Sequence, residues 1–153
     1  GATRTEEWIA VYRTHTPRLR LGRAVRRLLV DLRQRWPLAL VTNGLKDVQR
    51  RKVEALGLDR LIDTIVFAGL PGQGGKPAPE PFHAACDALG VEPACAVHVG
   101  DDLIYDVRGA RGAGLRTIQL RRRGRHVTSS DADAVVERLS DVPAVAERLI
   151  QDA

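Results

Sequence analysis

The sequence predicts a doubly wound α/β domain, in which helices flank a mostly parallel sheet. Three observations favour this fold class. Short, wholly apolar runs alternate along the chain with segments of helical periodicity, and most of the helical segments are followed by a glycine. Such alternation calls for parallel strands joined by right-handed helical crossovers. In sheets of this kind, ligands bind at the carboxyl ends of the strands.

The first residues carry a helix signal. Thr3 and Glu6 are spaced as in a capping box, which predicts a short helix continuing through Trp8, Ile9 and Tyr12. The same stretch, read as WIAVY, is also an alternative strand. The sequence leaves both interpretations open.

Residues 23–35 have the pattern of an amphipathic helix that ends before Pro37. Its apolar side chains are spaced at helical intervals: Val25, Leu28, Leu29 and Leu32. The run LALVT at 38–42 follows, and its continuous apolarity predicts a strand buried on both faces.

The remaining elements continue the alternation. Predicted helices cover residues 46–56, 80–89 and 103–113, and the glycines at their C-terminal cap positions are Gly57, Gly90 and Gly114. Predicted strands are TIVFA at 64–68, CAVHV at 95–99 and LRTIQL at 115–120. A short AVV segment predicts an edge strand, and Asp141 is expected to cap a last helix with Pro143 in its first turn.

Composition is that of an ordinary globular protein. The 153 residues suit one domain, with 44% hydrophobic and 28% charged side chains. The two cysteines, Cys86 and Cys95, are expected to be buried reduced thiols. No apolar run is long enough to span a bilayer and the first residues do not resemble a signal peptide, so we expect a cytoplasmic protein and no membrane partner.

Basic side chains outnumber acidic ones, giving a net charge of +5. The excess is almost entirely arginine, and anionic partners are plausible on charge alone. Without a nucleic-acid-binding motif, we do not expect a nucleic-acid partner. The arginine-rich loop at 121–126 is interpreted as a solvated loop, and His98, inside an apolar run, as a satisfied core residue.

Polar side chains follow three successive predicted strands. They are Thr42-Asn43-Gly44, Gly75-Lys76-Pro77, and Gly100-Asp101-Asp102 with Asp106 beyond. Taken singly, these are a turn, a solvated lysine and a helix cap. Together, a hydroxyl, a lysine and a carboxylate group at one rim are typical of phosphoryl transfer, with the aspartates as ligands for Mg²⁺.

Three segments resemble the haloacid dehalogenase (HAD) superfamily, over roughly residues 22–140. They are LALVTNGLKDVQRRKVEALGL, GGKPAPEPFHAACDALGV and AVHVGDDLIYDVRGARGAGLRTI. The closest subgroup has a helical cap inserted early in the chain, so residues 1–21 resemble a cap remnant and its return segment, and 22–153 the core domain.

The resemblance implies a Mg²⁺-dependent phosphohydrolase acting on a small phosphorylated metabolite. It implies that Thr42 and Lys76 are catalytic and that Asn43 and Gly44 lie beside the phosphoryl group. Asp101 would bind Mg²⁺ and Asp106 would support the metal shell. Asp102 is a possible substitute for Asp106.

The sequence departs from the family at the first motif, DxD followed by threonine, whose first aspartate is the nucleophile. No such motif precedes the strand at 38–42, where the only aspartate is Asp31. The family's first strand lies mid-sheet, between LALVT and CAVHV, so we expect a gap there. We expect that truncation explains it, and that this chain alone is inactive.

Alternatives remain open. Direct closure of the sheet, the N-terminal segment, a homodimer or a complementing chain could fill the gap. A non-catalytic HAD-like binding or scaffold module is the alternative function. Dehalogenase chemistry is a weaker alternative, because the predicted Mg²⁺ site favours phosphate.

Overall fold

Five strands and five helices follow one another in the computed structural model, which describes residues 17–121 and 131–152 and the separate residues 3, 4, 6, 14 and 15. The strands are β1 Ala39–Asn43, β2 Thr64–Ala68, β3 Val97–Gly100, β4 Arg116–Leu120 and β5 Ala134–Val136. The helices are α1 Arg23–Arg33, α2 Lys46–Leu56, α3 Glu80–Leu89, α4 Gly109–Gly112 and α5 Val142–Gln151.

The strands form two parallel sheets. In the described part of the chain, β1 pairs with β2, and β3, β4 and β5 pair in that order. The short AVV segment is the edge strand β5, as predicted. The predicted α/β architecture with parallel strands is therefore confirmed, while β1 and β3 do not pair with each other.

Helices pack against both sheets. α3 packs against β1 and β2, and its Phe82 and Cys86 join a buried cluster with Ala110 and Leu115. α5 packs on β3 and β4 around Ile118. Arg35, just after α1, pairs with Glu147 of α5 at 2.9 Å, which links these two helices.

Helix ends agree closely with the glycine pattern. Gly57 and Gly90 both end their helices in the left-handed conformation, with φ of 66°. The capping box is confirmed: the backbone N–H of Thr3 donates to Glu6 Oε2, and that of Glu6 to Thr3 Oγ1. Trp8, Ile9 and Tyr12 lie outside the described residues, so their helix or strand stays a prediction.

Two local predictions were wrong. The residues after β3 begin as a wider π-helical segment, Leu103–Arg108, before α4. Asp141 precedes α5 without a side-chain capping bond. The wider segment forms because the N–H of Val107 reaches back five residues to the carbonyl of Asp102.

Burial also differs from expectation in one half of the molecule. The LALVT strand is not buried on both faces, because Ala39 is exposed and the rest of β1 is half-buried. Cys86 is buried as predicted, but Cys95 is exposed, because it lies in a 3₁₀ turn before β3 rather than in the strand.

A cavity of about 590 Å³ explains the poor burial of β1. It lies between β1 and β3 and extends between the helices that cover them. Apolar residues of both strands therefore border open space. No described helix is both long and apolar enough to cross a membrane.

Candidate active site

The carboxyl ends of β1 and β3 meet at one rim, where the predicted site residues lie. Asn43 at the end of β1 contacts Lys76, Lys76 contacts Asp106, and Asp106 lies against Gly100 at the end of β3. Residues predicted from three separate strand ends are thus in continuous contact. The structure places them as the parallel topology requires.

Asn43 fixes the loop that carries Lys76. Its side-chain Nδ2 donates to the carbonyl of Lys76 at 2.9 Å, and the Lys76 N–H donates to Asn43 Oδ1 at 2.8 Å. Both backbone polar groups of the lysine are satisfied by one amide side chain. The Asn43 side chain therefore positions the lysine loop, and only its backbone is available for the predicted place beside a phosphoryl group.

Gln49, on α2, was not identified from the sequence. Its Nε2 donates to Thr42 Oγ1 at 2.6 Å and to the carbonyl of Asn43 at 2.9 Å. Because Oγ1 accepts this hydrogen bond, the Thr42 O–H can donate to another acceptor, such as a phosphate oxygen. The N–H of Gly44 is directed at the carbonyl of Gly69, at 3.4 Å.

Asp106 is the most buried carboxylate of the rim, with 7% of the residue exposed. Burial alone would raise its pKa, but hydrogen bonds from His98 and Lys76 and the charge of Lys76 together hold the pKa well below its usual range. Lys76 Nζ lies 2.5 Å and His98 Nε2 3.3 Å from Oδ1. The carboxylate is therefore ionised at neutral pH.

His98 belongs to this site rather than to the core alone. Its ring meets Phe82 edge to face, with centroids 5.0 Å apart, while Nε2 faces Asp106. Hydropathy does not reveal this contact, because the carboxylate lies eight residues further along the chain.

Glycine at position 100 is required by the close approach of Asp106. A Cβ there would overlap the Cβ and carboxylate carbon of Asp106. The Asp106 side chain lies directly against the last residue of β3, where its Oδ2 accepts the N–H of Asp102 at 3.2 Å. A larger residue would push the carboxylate away from Lys76.

The two adjacent aspartates have different surroundings. Asp102 Oδ1 accepts the N–H groups of Ile104 and Tyr105, at 2.9 and 2.8 Å, and so caps the π-helical segment. Asp101 is half-buried and borders the cavity between β1 and β3. One oxygen of Asp102 is therefore engaged in capping.

The carboxylates at the rim suit a Mg²⁺ site that has few protein ligands. Within the described ranges, no group of three or more His, Cys, Asp and Glu side chains converges in a metal-binding arrangement. Mg²⁺ commonly keeps several waters and takes one or two protein carboxylates together with substrate phosphate oxygens. Asp101 and Asp106, which both line the cavity, fit that pattern, and a site made only of protein ligands does not.

Other acidic and basic candidates lie elsewhere. Asp131-Ala132-Asp133 has DxD spacing but precedes β5, at the opposite edge of the sheet. There Asp133 Oδ2 accepts hydrogen bonds from the N–H and the hydroxyl of Thr117. In the loop interpreted as solvated, Arg121 is half-buried, while 122–126 fall outside the described residues.

A family model described as haloacid dehalogenase-like hydrolase matches residues 5–114. The chain is 38% identical over 128 residues to N-acylneuraminate-9-phosphatase of Mus musculus, covering 82% of this chain and 51% of the relative. It is 44% identical over 91 residues to phosphoserine phosphatase of Thermus thermophilus, covering 59% of this chain and 36% of the relative. The chain spans about half the length or less of these curated relatives.

Solved structures give the same result. A 2-haloacid dehalogenase from Pseudomonas syringae has a TM-score of 0.69 at 32% identity, covering 84% of this chain and 54% of that one. A HAD phosphatase from Thermococcus onnurineus has a TM-score of 0.69 at 28% identity, covering 94% and 64%. The chain belongs to the haloacid dehalogenase-like hydrolases.

Proposed function

We propose that this haloacid dehalogenase-like hydrolase acts on a small phosphorylated metabolite with Mg²⁺, and that the described residues form its phosphate- and metal-binding side. The observation that carries the proposal is the continuous contact of Asn43, Lys76 and Asp106 at the rim where β1 and β3 end. The names of the curated phosphatase relatives support the same reaction class.

Each residue has a proposed role that follows from its surroundings. Thr42 donates its hydroxyl hydrogen to a phosphate oxygen, since Gln49 already supplies the hydrogen bond that Oγ1 accepts. Lys76 neutralises phosphate charge, and its loop is fixed by Asn43. Gly44 lies beside the phosphate through its backbone. Thr42 and Lys76, as preorganised donors, would stabilise charge that develops on the transferring group.

Asp101 would hold Mg²⁺, Asp106 would support the metal shell, and Asp102 could contribute its second oxygen. The cation would neutralise negative charge on the phosphate. Asp106 is kept ionised by Lys76 and His98, so it can serve this role at neutral pH without losing a proton.

No described residue is an evident nucleophile at this rim. Asp101 and Asp106 are assigned to the cation, and Asp102 caps a helical segment. We therefore expect the chain to bind phosphate and Mg²⁺ but not to form a covalent phosphoenzyme by itself.

The test measures binding and turnover separately. Isothermal titration with inorganic phosphate in the presence of Mg²⁺ should show binding that Lys76→Ala weakens at least tenfold. Lys52→Ala, on α2, should leave it unchanged. Equal phosphate affinity of the Lys76→Ala and Lys52→Ala variants would contradict the proposed site.

Hydrolysis of p-nitrophenyl phosphate then distinguishes the enzyme from a scaffold. We expect none from this chain and turnover from a form extended upstream in its own reading frame, abolished by Asp101→Ala. Phosphate binding without turnover in either form would favour the non-catalytic binding module. Release of halide from 2-haloacids by the extended form, without phosphate hydrolysis, would favour dehalogenation instead.

A further inference from the structure

A groove of about 710 Å³ lies between the chain that precedes α1 and the end of α2. Its lining comes from Leu19, Arg20 and Leu21, from residues 54–57, and from Arg26 of α1. Asp59 and Arg60, in the turn after α2, complete it. None of these residues lines the cavity between β1 and β3. The groove is therefore separate from the rim of the proposed function.

The surface around this groove is rich in arginine. Residues 18–27 contain five arginines and no acidic residue, and all five arginines are exposed. Within the described part of the chain, none of the five forms an ion pair, and neither does Arg60, whereas Arg33, Arg35 and Arg108 do. The arginine surface is defined as these six side chains: Arg18, Arg20, Arg23, Arg26, Arg27 and Arg60.

Three of these arginines act against the stability of α1. Arg23, Arg26 and Arg27 lie in its first two turns, where the helix dipole favours acidic side chains, and the first turn has no acidic residue. Arg23 and Arg27 are spaced four residues apart, which brings like charges together on the same side of the helix. A negatively charged partner would offset this unfavourable accumulation of positive charge.

The guanidinium group of Arg26 is held at the groove. Its Nη2 lies 3.5 Å from the position that a Cβ would take on Gly57, the residue that ends α2. Arg20 and Arg60 line the same groove from the segments on either side. Guanidinium groups suit carboxylates because they can donate two parallel hydrogen bonds to them. The three arginines thus offer several carboxylates a place to bind.

The groove also presents apolar and acidic side chains. Leu19, between Arg18 and Arg20 in the chain, is 41% exposed although it is large and apolar. Glu54 and Asp59 are exposed in the lining. Their negative charge would repel the uniformly charged backbone of a nucleic acid. A polypeptide can instead place acidic, apolar and neutral side chains at different points, so the lining favours a polypeptide.

We propose that this groove and the arginine surface bind an acidic segment of a separate polypeptide. Carboxylates of the segment pair with Arg20, Arg26 and Arg60, and an apolar side chain of the segment packs against Leu19. The charge complementarity speeds association and makes the affinity depend on salt. This interaction does not involve the phosphate- and metal-binding residues, so it goes beyond the proposed function.

The experiment titrates the intact chain into a fluorescein-labelled peptide of six glutamates with two leucines at its centre, and measures anisotropy. We expect saturable binding that weakens as the salt concentration rises. Arg20→Glu and Arg26→Glu should each weaken it at least about tenfold, because a carboxylate then faces the acidic peptide. Arg148→Glu is the matched control, since Arg148 is exposed on α5, gives the same change in net charge and does not line the groove.

Two further titrations sharpen the test. Leu19→Ser should weaken binding of the leucine-containing peptide but not of a peptide made of glutamate alone, because only the first peptide has an apolar side chain to lose contact with. A DNA duplex of equal net charge should bind more weakly than the leucine-containing peptide. Urea unfolding of all four variants checks that they remain folded, and Arg20→Glu lies outside any helix.

The proposal would be overturned by non-saturable binding, or by equal peptide affinity of Arg20→Glu, Arg26→Glu and Arg148→Glu, which would show that only net charge matters. Tighter binding of the duplex than of the peptide, lost in Arg26→Glu, would assign the groove to nucleic acid and overturn the choice of a polypeptide. Undiminished binding of the leucine-containing peptide by Leu19→Ser would overturn the apolar contact.

Discussion

The central strand of the three-stranded sheet and the strand β1 are buried to different degrees. In β4, the central strand of the three-stranded sheet, Thr117 and Ile118 are fully buried and Gln119 is 4% exposed. In β1, no residue is buried. The helices differ in the same way, since α5 buries Val142, Ala146 and Leu149 while α1 buries no residue.

This difference shows that apolarity of a strand does not by itself determine burial. A strand is fully buried only when both of its neighbours and both covering layers are present. β4 has paired strands on each side, whereas the inner edge of β1 borders the cavity. The β1–β2 half of the molecule is therefore expected to be the less stable half.

The largest expected effect tests this difference in stability. Ile118→Ala should lower the free energy of unfolding by about 2–5 kcal/mol, because Ile118 is fully buried among α5 side chains. Leu40→Ala in β1 should cost less than about 1.5 kcal/mol, because Leu40 already borders open space. Urea denaturation of the two variants measures both values. Equal decreases in the free energy of unfolding would show that the two halves are packed alike.

The second prediction concerns the rim that joins the two halves. Gly100→Ala should displace the Asp106 carboxylate from Lys76 and cost about 1–3 kcal/mol of stability. It should also weaken phosphate binding. Gly112→Ala is the matched control, because no atom lies within 4 Å of a Cβ placed there. If both variants bind phosphate like the original chain, the position of Asp106 does not depend on Gly100.

A third change acts only on the β1 side of the rim. Gln49→Leu removes the hydrogen bond to Thr42 Oγ1 and should weaken phosphate affinity about tenfold, the equivalent of about 1.4 kcal/mol. Gln34→Leu, at the exposed end of α1, should have no effect. Titration calorimetry with phosphate and Mg²⁺ measures both affinities. An unchanged affinity of the Gln49 variant would remove Gln49 from the site.

The smallest expected effect is pH-dependent and concerns how α1 is held on the β1–β2 sheet. The Leu38 N–H and Arg33 donate to Asp63 and lower the pKa of its carboxyl. A lowered pKa adds stability above the unfolded value of about 3.9, and this is lost as pH falls through the folded value.

Asp63→Asn should therefore destabilise the protein by less than about 1 kcal/mol near neutral pH, and the difference should shrink below about pH 4. Urea unfolding of both proteins at neutral and acidic pH measures this. Asp59→Asn serves as the control, because Asp59 is exposed and lies in the adjacent turn. If the difference in free energy of unfolding between the original protein and Asp63→Asn grew on acidification, this would contradict the lowered pKa of Asp63.

The sequence predicted the parts that depend on local patterns. Helix ends at Gly57 and Gly90, the capping box at Thr3, and the alternation of strand and helix all come from interactions within a few residues. The convergence of site residues at one rim was also predicted, because parallel strands bring their carboxyl ends together. For this reason Lys76 and Asp106 could be expected to lie close to each other.

What the sequence did not show depends on long-range contacts. The amide of Asn43 reaches Lys76, 33 residues away, and Gln49 reaches back to Thr42. Neither hydrogen bond can be predicted from the spacing of apolar and polar residues along the chain. The half-burial of β1 was also missed, because an apolar run looks the same whether or not a neighbouring strand pairs with it.

The arrangement of the rim across the two sheets has a consequence for heat resistance. Thr42 and Lys76 are carried by the β1–β2 side, and Asp101 and Asp106 by the β3–β4–β5 side. An anion and a cation bound by residues of both sheets would link the two sheets. The melting temperature would therefore rise with ligand concentration. At a hundredfold excess over Kd, one ligand contributes about 2.7 kcal/mol. Occupancy of the rim would thus set how tightly the two halves of the chain hold together.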